Sequence, residues 1–112
     1  MTGFRGPIHL SAGEVEARVH TGPGAFALGY ARPQEGAVFV SFVGRSDADL
    51  RAAVLAHVGD PYTACFWSEE SSSAGAYRAE CRLWHEMGGP EGDLDSRLHP
   101  VPPGDVDCPV CD

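Results

Sequence analysis

Residues 37–59 read AVFVSFVGRSDADLRAAVLAHVG. The first seven are dense in β-branched and aromatic side chains, which suit the pleated surface of a strand. Gly44 is expected to end that strand. Ser46 with Asp49 then reads as a capping box, and Asp47 and Asp49 fall where a helix amino terminus favours negative charge. Leu50, Val54, Leu55 and Val58 recur at helical spacing, and Gly59 with Pro61 stops the helix. A strand, a short junction and a helix thus follow one another within one stretch.

On the amino-terminal side, AFALGYA (25–31) reads as another strand, and Arg32-Pro33-Gln34-Glu35-Gly36 as a turn, so the two strands form a hairpin. Further upstream, Ser11 with Glu14 caps a short helical turn over 11–20, and Gly22-Pro23-Gly24 breaks the chain. On the carboxyl side, YTACFWS (62–68) is a third strand. The loop SEESSS supplies an N-cap at Ser72 or Ser73, and a second helix runs from about Ala74 to Met87, with Tyr77, Cys81 and Trp84 along one side. Gly88-Gly89-Pro90 ends it. The order β-β-α-β-α implies an α+β fold of helices layered on a small sheet. A single domain is expected over 1–112, with its core at roughly 23–88 and a loop-like acidic tail at 89–112.

The chain carries a net charge of −8 and contains no lysine and no asparagine. Seven of its acids and one arginine lie between Glu86 and Asp112. Such a balance disfavours general affinity for nucleic acid, although Arg45, Arg51, Arg78 and Arg82 are candidates for a local basic face. No run reads as a signal peptide or reaches membrane-spanning length, so a soluble cytoplasmic protein is expected. In a reducing compartment, four cysteines point to metal binding or free thiols ahead of disulfides.

The tail ends in DVDCPVCD and has little apolar surface with which to hold itself against the body. Cys81 and His85, four apart on the second helix, share a face. Cys108 and Cys111, two residues apart across Pro109-Val110, can reach one ion together. These four donors make a closed, structural zinc set, with His99 as an alternative to His85 for the fourth place. Binding energy at such a site becomes folding energy for the tail. A redox-active or disulfide-bonded CxxC pair, or unpaired thiols, are the other readings. Cys65, mid-strand, reads as core packing.

Gly24-Ala25-Phe26 and Phe42-Val43-Gly44 lie on consecutive strands, and the second is followed by Arg45-Ser46-Asp47 and a helix ending near His57. This pattern resembles the GIY-YIG nuclease domain. The segments ECRLWH and CPVC resemble small bacterial proteins of that kind with a cysteine- and histidine-bearing end. The resemblance covers roughly 23–88 and implies the same β-β-α-β-α core. It also implies phosphodiester cleavage by two tyrosines, a helix arginine, a metal-binding glutamate and usually an asparagine. The two tyrosines fall on Phe26 and Phe42, which lack the hydroxyl. The arginine falls at Ala52 or Ala53, with Arg51 close but pointing elsewhere. Glu80 matches the glutamate, and no residue matches the asparagine. Two phenylalanines and an alanine supply neither an activated nucleophile nor charge neutralisation.

The expected role is therefore non-catalytic: a degenerate relative that binds an unknown protein or small-molecule partner. The alternative is a divergent endonuclease, with Glu80 holding Mg²⁺ and Arg45 or Arg51 serving the phosphate. A structural module that docks through its zinc end is a third reading. Trp67 and Trp84 read as core residues, and the acids at 69–70 and 91–95 as solvated.

Overall fold

A computed structural model of the chain describes residues 2–32 and 37–111. The turn expected at 33–36 lies outside the described residues. The elements in chain order are β1 (Arg5–His9), α1 (Ala12–Arg18), β2 (Gly24–Arg32), β3 (Ala37–Ser46), α2 (Leu50–Leu55), β4 (Ala64–Glu69) and α3 (Ser73–Glu86), followed by a 3-10 turn at Gly89–Glu91. The four strands form one antiparallel sheet in the order β1-β4-β2-β3. The fold is mixed α+β, with β2 and β4 central and β1 and β3 at the edges.

Alternation along the strands sends side chains to two faces. On one face, Phe26, Leu28, Cys65 and Trp67 pack with Leu10, Val15 and Val19 around α1 and with Leu50 and Val54 of α2. On the other, Ala27 and Val43 pack with Leu83 and Trp84 of α3 and with Leu94 from the tail. Both faces are covered, which explains why β4 reads as a nearly continuous buried run.

β3 runs on through Gly44 to Ser46, because the ladder continues to the pair Gly24↔Ser46. The helix N-cap is Asp49, whose carboxylate accepts from Ala52 N–H at 3.1 Å. Ser46 instead caps the preceding turn, its hydroxyl accepting from Asp49 N–H at 2.9 Å. Helix α2 stops at Leu55, and a run of tight turns carries the chain to Gly59. Val58, expected on the helical stripe, is consequently exposed. In α3, Ser72 is the N-cap and Gly88, in the left-handed region at φ +97°, follows the C-cap as a glycine there should.

β1 is an element that the sequence pattern did not reveal. Its Gly6-Pro7 pair reads as a break, yet a proline is tolerated on an edge strand because no ladder partner needs its N–H. A second irregularity lies on β3. The register passes from Leu28↔Phe42 to Gly29↔Val40, so Ser41 is skipped. Gly29 sits at this bulge, where a Cβ would fall 2.0 Å from the Phe39 carbonyl oxygen.

The tail uses that bulge. Asp95 N–H donates to the carbonyl of Ser41, and Val43 N–H donates to the Ser96 hydroxyl at 3.0 Å. Trp84 Nε1–H donates to the Ser96 carbonyl at 2.7 Å, and Leu94 is buried beneath. The first part of the tail is thus held by one buried leucine and a set of hydrogen bonds, with no metal needed there. Beyond Ser96 the apolar support is sparser: Val106 and Cys108 pack against Tyr77 and Cys81, whereas Leu98, Val101 and Val110 are exposed. Among the described residues, no helix is long and apolar enough to cross a membrane.

Candidate metal centre and the neighbouring cleft

Helix α3 presents His85 on the side facing the tail, and the chain end folds back over it. His85, His99, Cys108 and Cys111 each offer one ligand atom, and all four atoms lie within 4.8 Å of one another. The Nε2 atom of His85 is 3.5 Å from the Cys108 sulfur and 3.4 Å from that of Cys111. His99 Nε2 is 3.3 Å from the Cys111 sulfur. Metal–sulfur and metal–nitrogen bonds of about 2.3 and 2.0 Å, meeting at a tetrahedral angle, put S and N roughly 3.5 Å apart. The observed spacings therefore fit four donors around one ion, and the group can hold a metal.

Local structure positions each donor. His99 turns its Nδ1 onto the Pro100 carbonyl at 2.8 Å, which leaves Nε2 pointing at the sulfurs. Trp84 packs edge-on against both His85 and His99, at ring-centroid distances of 5.0 and 5.2 Å. The Cys108-Pro-Val-Cys111 turn brings the Cys111 N–H to the Cys108 sulfur at 3.4 Å. Burial alone would raise the Cys108 thiol. The Cys111 and Val110 N–H groups, with His99 and Cys81, outweigh it and bring the thiol down to about 6, favouring the ligand form.

The donor set differs from the sequence expectation at one position. His85, Cys108 and Cys111 come together as expected, and His99 joins them where Cys81 was placed. Cys81 does share the helix face with His85, but one turn deeper. It is fully buried, packed with Tyr77, Cys108 and Val106. Burial pushes its thiol up to about 12. The tail covers that turn of the helix, so the second imidazole arrives from outside while Cys81 supports the cluster from within. Cys65, buried in the sheet core with its thiol raised to about 12 by desolvation, matches the packing role expected for it.

A cleft of about 430 Å³ opens beside this cluster, around the β3 edge between α2 and α3. Phe26, Phe42, Ala53 and His57 line one side, Arg45 and Glu80 the other, and Val101 of the tail adjoins it. Phe26, Phe42 and His57 are mutually in contact, with centroids 5.0–6.1 Å apart. Arg45 donates to Asp47 and to Glu80, both at 2.7 Å, and its guanidinium lies over the Tyr77 ring at 5.2 Å. Burial works against the Arg45 charge, but the two carboxylates outweigh it and hold it protonated. Glu80 responds differently. Its deeper burial raises its carboxyl, and Arg45 offsets only part of that.

Of the candidates for phosphate chemistry, Arg45 and Glu80 thus meet in the cleft but are committed to each other. Arg51 is elsewhere, its Nε donating to the Val19 carbonyl at 2.8 Å and tying α2 to the end of α1. Ala53 is the α2 residue that faces the cleft between Leu50 and His57. The Arg45–Glu80 pair joins residues 35 apart in sequence, and no local spacing announces it. No family model, curated protein or solved structure matches the chain.

Proposed function

We propose that the chain is a zinc-stapled, GIY-YIG-like domain that has lost its catalytic groups and acts as a non-enzymatic binding module. The order β2-β3-α2-β4-α3 supports the resemblance. The observation that carries the loss of activity is the state of the cleft. Phenylalanines stand at the positions of both tyrosines, Ala52 or Ala53 stands at the arginine position, and the Arg45 guanidinium that lines the cleft is clamped by Asp47 and Glu80. A carboxylate engaged by an arginine at 2.7 Å is a poor Mg²⁺ ligand, and an arginine neutralised by two carboxylates offers little to a phosphate.

Zinc is the ion that best suits two thiolates and two imidazoles at these spacings. Four protein donors leave no open position for a reactive water, so the ion's part is structural. The test is a cleavage assay with Mg²⁺ or Mn²⁺ on single-stranded, duplex and branched DNA, alongside metal analysis of the purified protein. No cutting and about one zinc per chain are expected. Metal-dependent cutting that vanishes in Glu80→Ala would overturn the reading in favour of a divergent nuclease.

A further inference from the structure

The face of the sheet that carries α2 ends in a row of rings. Tyr30 contacts Tyr62 at 5.6 Å, Tyr62 contacts Phe42 at 6.1 Å, and Phe42 contacts His57 at 5.0 Å. All four are only partly covered. The strip packs against the core on one side and keeps a partly exposed aromatic edge on the other, a surface a partner can cover.

Carboxylates border this strip. Tyr62 donates its hydroxyl to Asp95. His57 Nδ1 lies 2.9 Å from Asp60, and Asp47 is at the cleft end beside Phe42. All three acids are exposed. Among the described residues that line the cleft, the one cation other than a histidine is Arg45, already held by Asp47 and Glu80.

Rings flanked by acids select against phosphate and for cations. Single-stranded nucleic acid also stacks on aromatic rows, but its backbone needs basic residues alongside, and here it would meet carboxylates. A second copy of this chain, itself at −8, would be repelled. An arginine side chain meets both demands at once, since its planar guanidinium stacks on aromatic faces and forks onto carboxylates. The molecule already contains the arrangement internally: Arg45 lies over Tyr77 and is gripped by two acids.

We infer that the Tyr30–Tyr62–Phe42–His57 strip with Asp60 and Asp95 is a docking surface for an arginine-bearing basic segment of a partner protein. The inference rests on the binding-module reading and names the chemistry of the partner. Affinity comes from stacking and charge together, so it falls with salt, more gently than phosphate binding would.

The test titrates the zinc-loaded full chain with three synthetic peptides of the same length: arginine-rich, the same with arginine replaced by lysine, and the same with glutamine. A single-stranded oligonucleotide forms the fourth arm. NMR shifts are read on the aromatic side chains. The arginine peptide is expected to move Tyr30, Tyr62, Phe42 and His57 and to bind at least about fivefold tighter than the lysine peptide, with the glutamine peptide not binding. Tyr30→Ala and Asp60→Asn should each weaken it about fivefold or more with Tm unchanged. If a variant unfolds, the wild-type shift map still decides. Equal binding of all three peptides, shifts elsewhere on the molecule, or preference for the oligonucleotide would each overturn the inference. Metal-dependent cutting of that oligonucleotide would instead overturn the binding-module reading, whereas neither cutting nor peptide binding would sink only the docking surface.

Discussion

The cysteine–histidine cluster and the cleft beside it lie within a few residues of one another, yet their polar groups are arranged in opposite ways. In the cluster, two thiols and two imidazoles converge on a common point, at spacings that could hold a shared cation. In the cleft, unlike charges face each other, and Arg45, Asp47 and Glu80 satisfy themselves. Convergent donors can accept a ligand from outside, while paired charges already satisfy one another. The two regions therefore differ in what they leave open: the first could hold an ion, whereas the charged groups of the second are paired with one another.

The comparison breaks most directly if the ion is removed. Chelation should cost about 4 kcal/mol or more, lowering Tm by roughly 20 °C. Hydrogen exchange should show residues 97–111 losing protection while 93–96 keep theirs. Uniform loss along the whole tail would mean that its two parts are not held separately. Leu94→Ala tests the metal-independent part. Emptying that buried position should cost about 2–4 kcal/mol by denaturant unfolding with the metal content unchanged.

The donor set can be sharpened by two substitutions. His99→Ala should weaken metal affinity about a hundredfold or more, since it removes a ligand. Cys81→Ala should weaken it less, by about tenfold, at the low end of what loss of a group behind a ligand costs. Competition with a chromophoric chelator reads both, and the reverse order would place Cys81 in the shell.

The smallest effect concerns the cleft. Glu80 has a raised carboxyl in the folded state, burial being the main cause. Its contribution to stability is then full below the unfolded carboxylate range, near pH 4, and is withdrawn as pH rises through the folded value. The stability of the native chain relative to Glu80→Gln should therefore narrow, by about 1 kcal/mol or less, between pH 4 and pH 7. A difference that widens would show that Arg45 more than compensates the burial.

What the sequence made legible follows from local pattern. β2, β3, β4 and α3 carry strong periodicity and clear punctuation, and each lies close to its expected range. β1 was hidden because Gly6-Pro7 is a local break that only an edge position tolerates. The start of α2 was misplaced because Ser46 and Asp49 are both good caps, and the strand ladder decided between them. The spacing of Cys108, Cys111 and His85 announced a metal set. The helical spacing pointed to Cys81, with His99 only as a substitute for His85; that both imidazoles meet the sulfurs depends on how the tail crosses α3, which no local spacing shows. The Arg45–Glu80 pair and the aromatic strip are products of tertiary packing and have no local signature.

One consequence concerns the outer rim of the sheet. The bulged residue Ser41 and its neighbour Val43 would otherwise offer bare peptide groups to any passing strand, and the chain's own residues 95–96 take them up. The acidic appendage is thus also a guard against polymerisation. A proteolytic nick after Gly92 would uncover a sticky margin and a template for sheet-by-sheet growth.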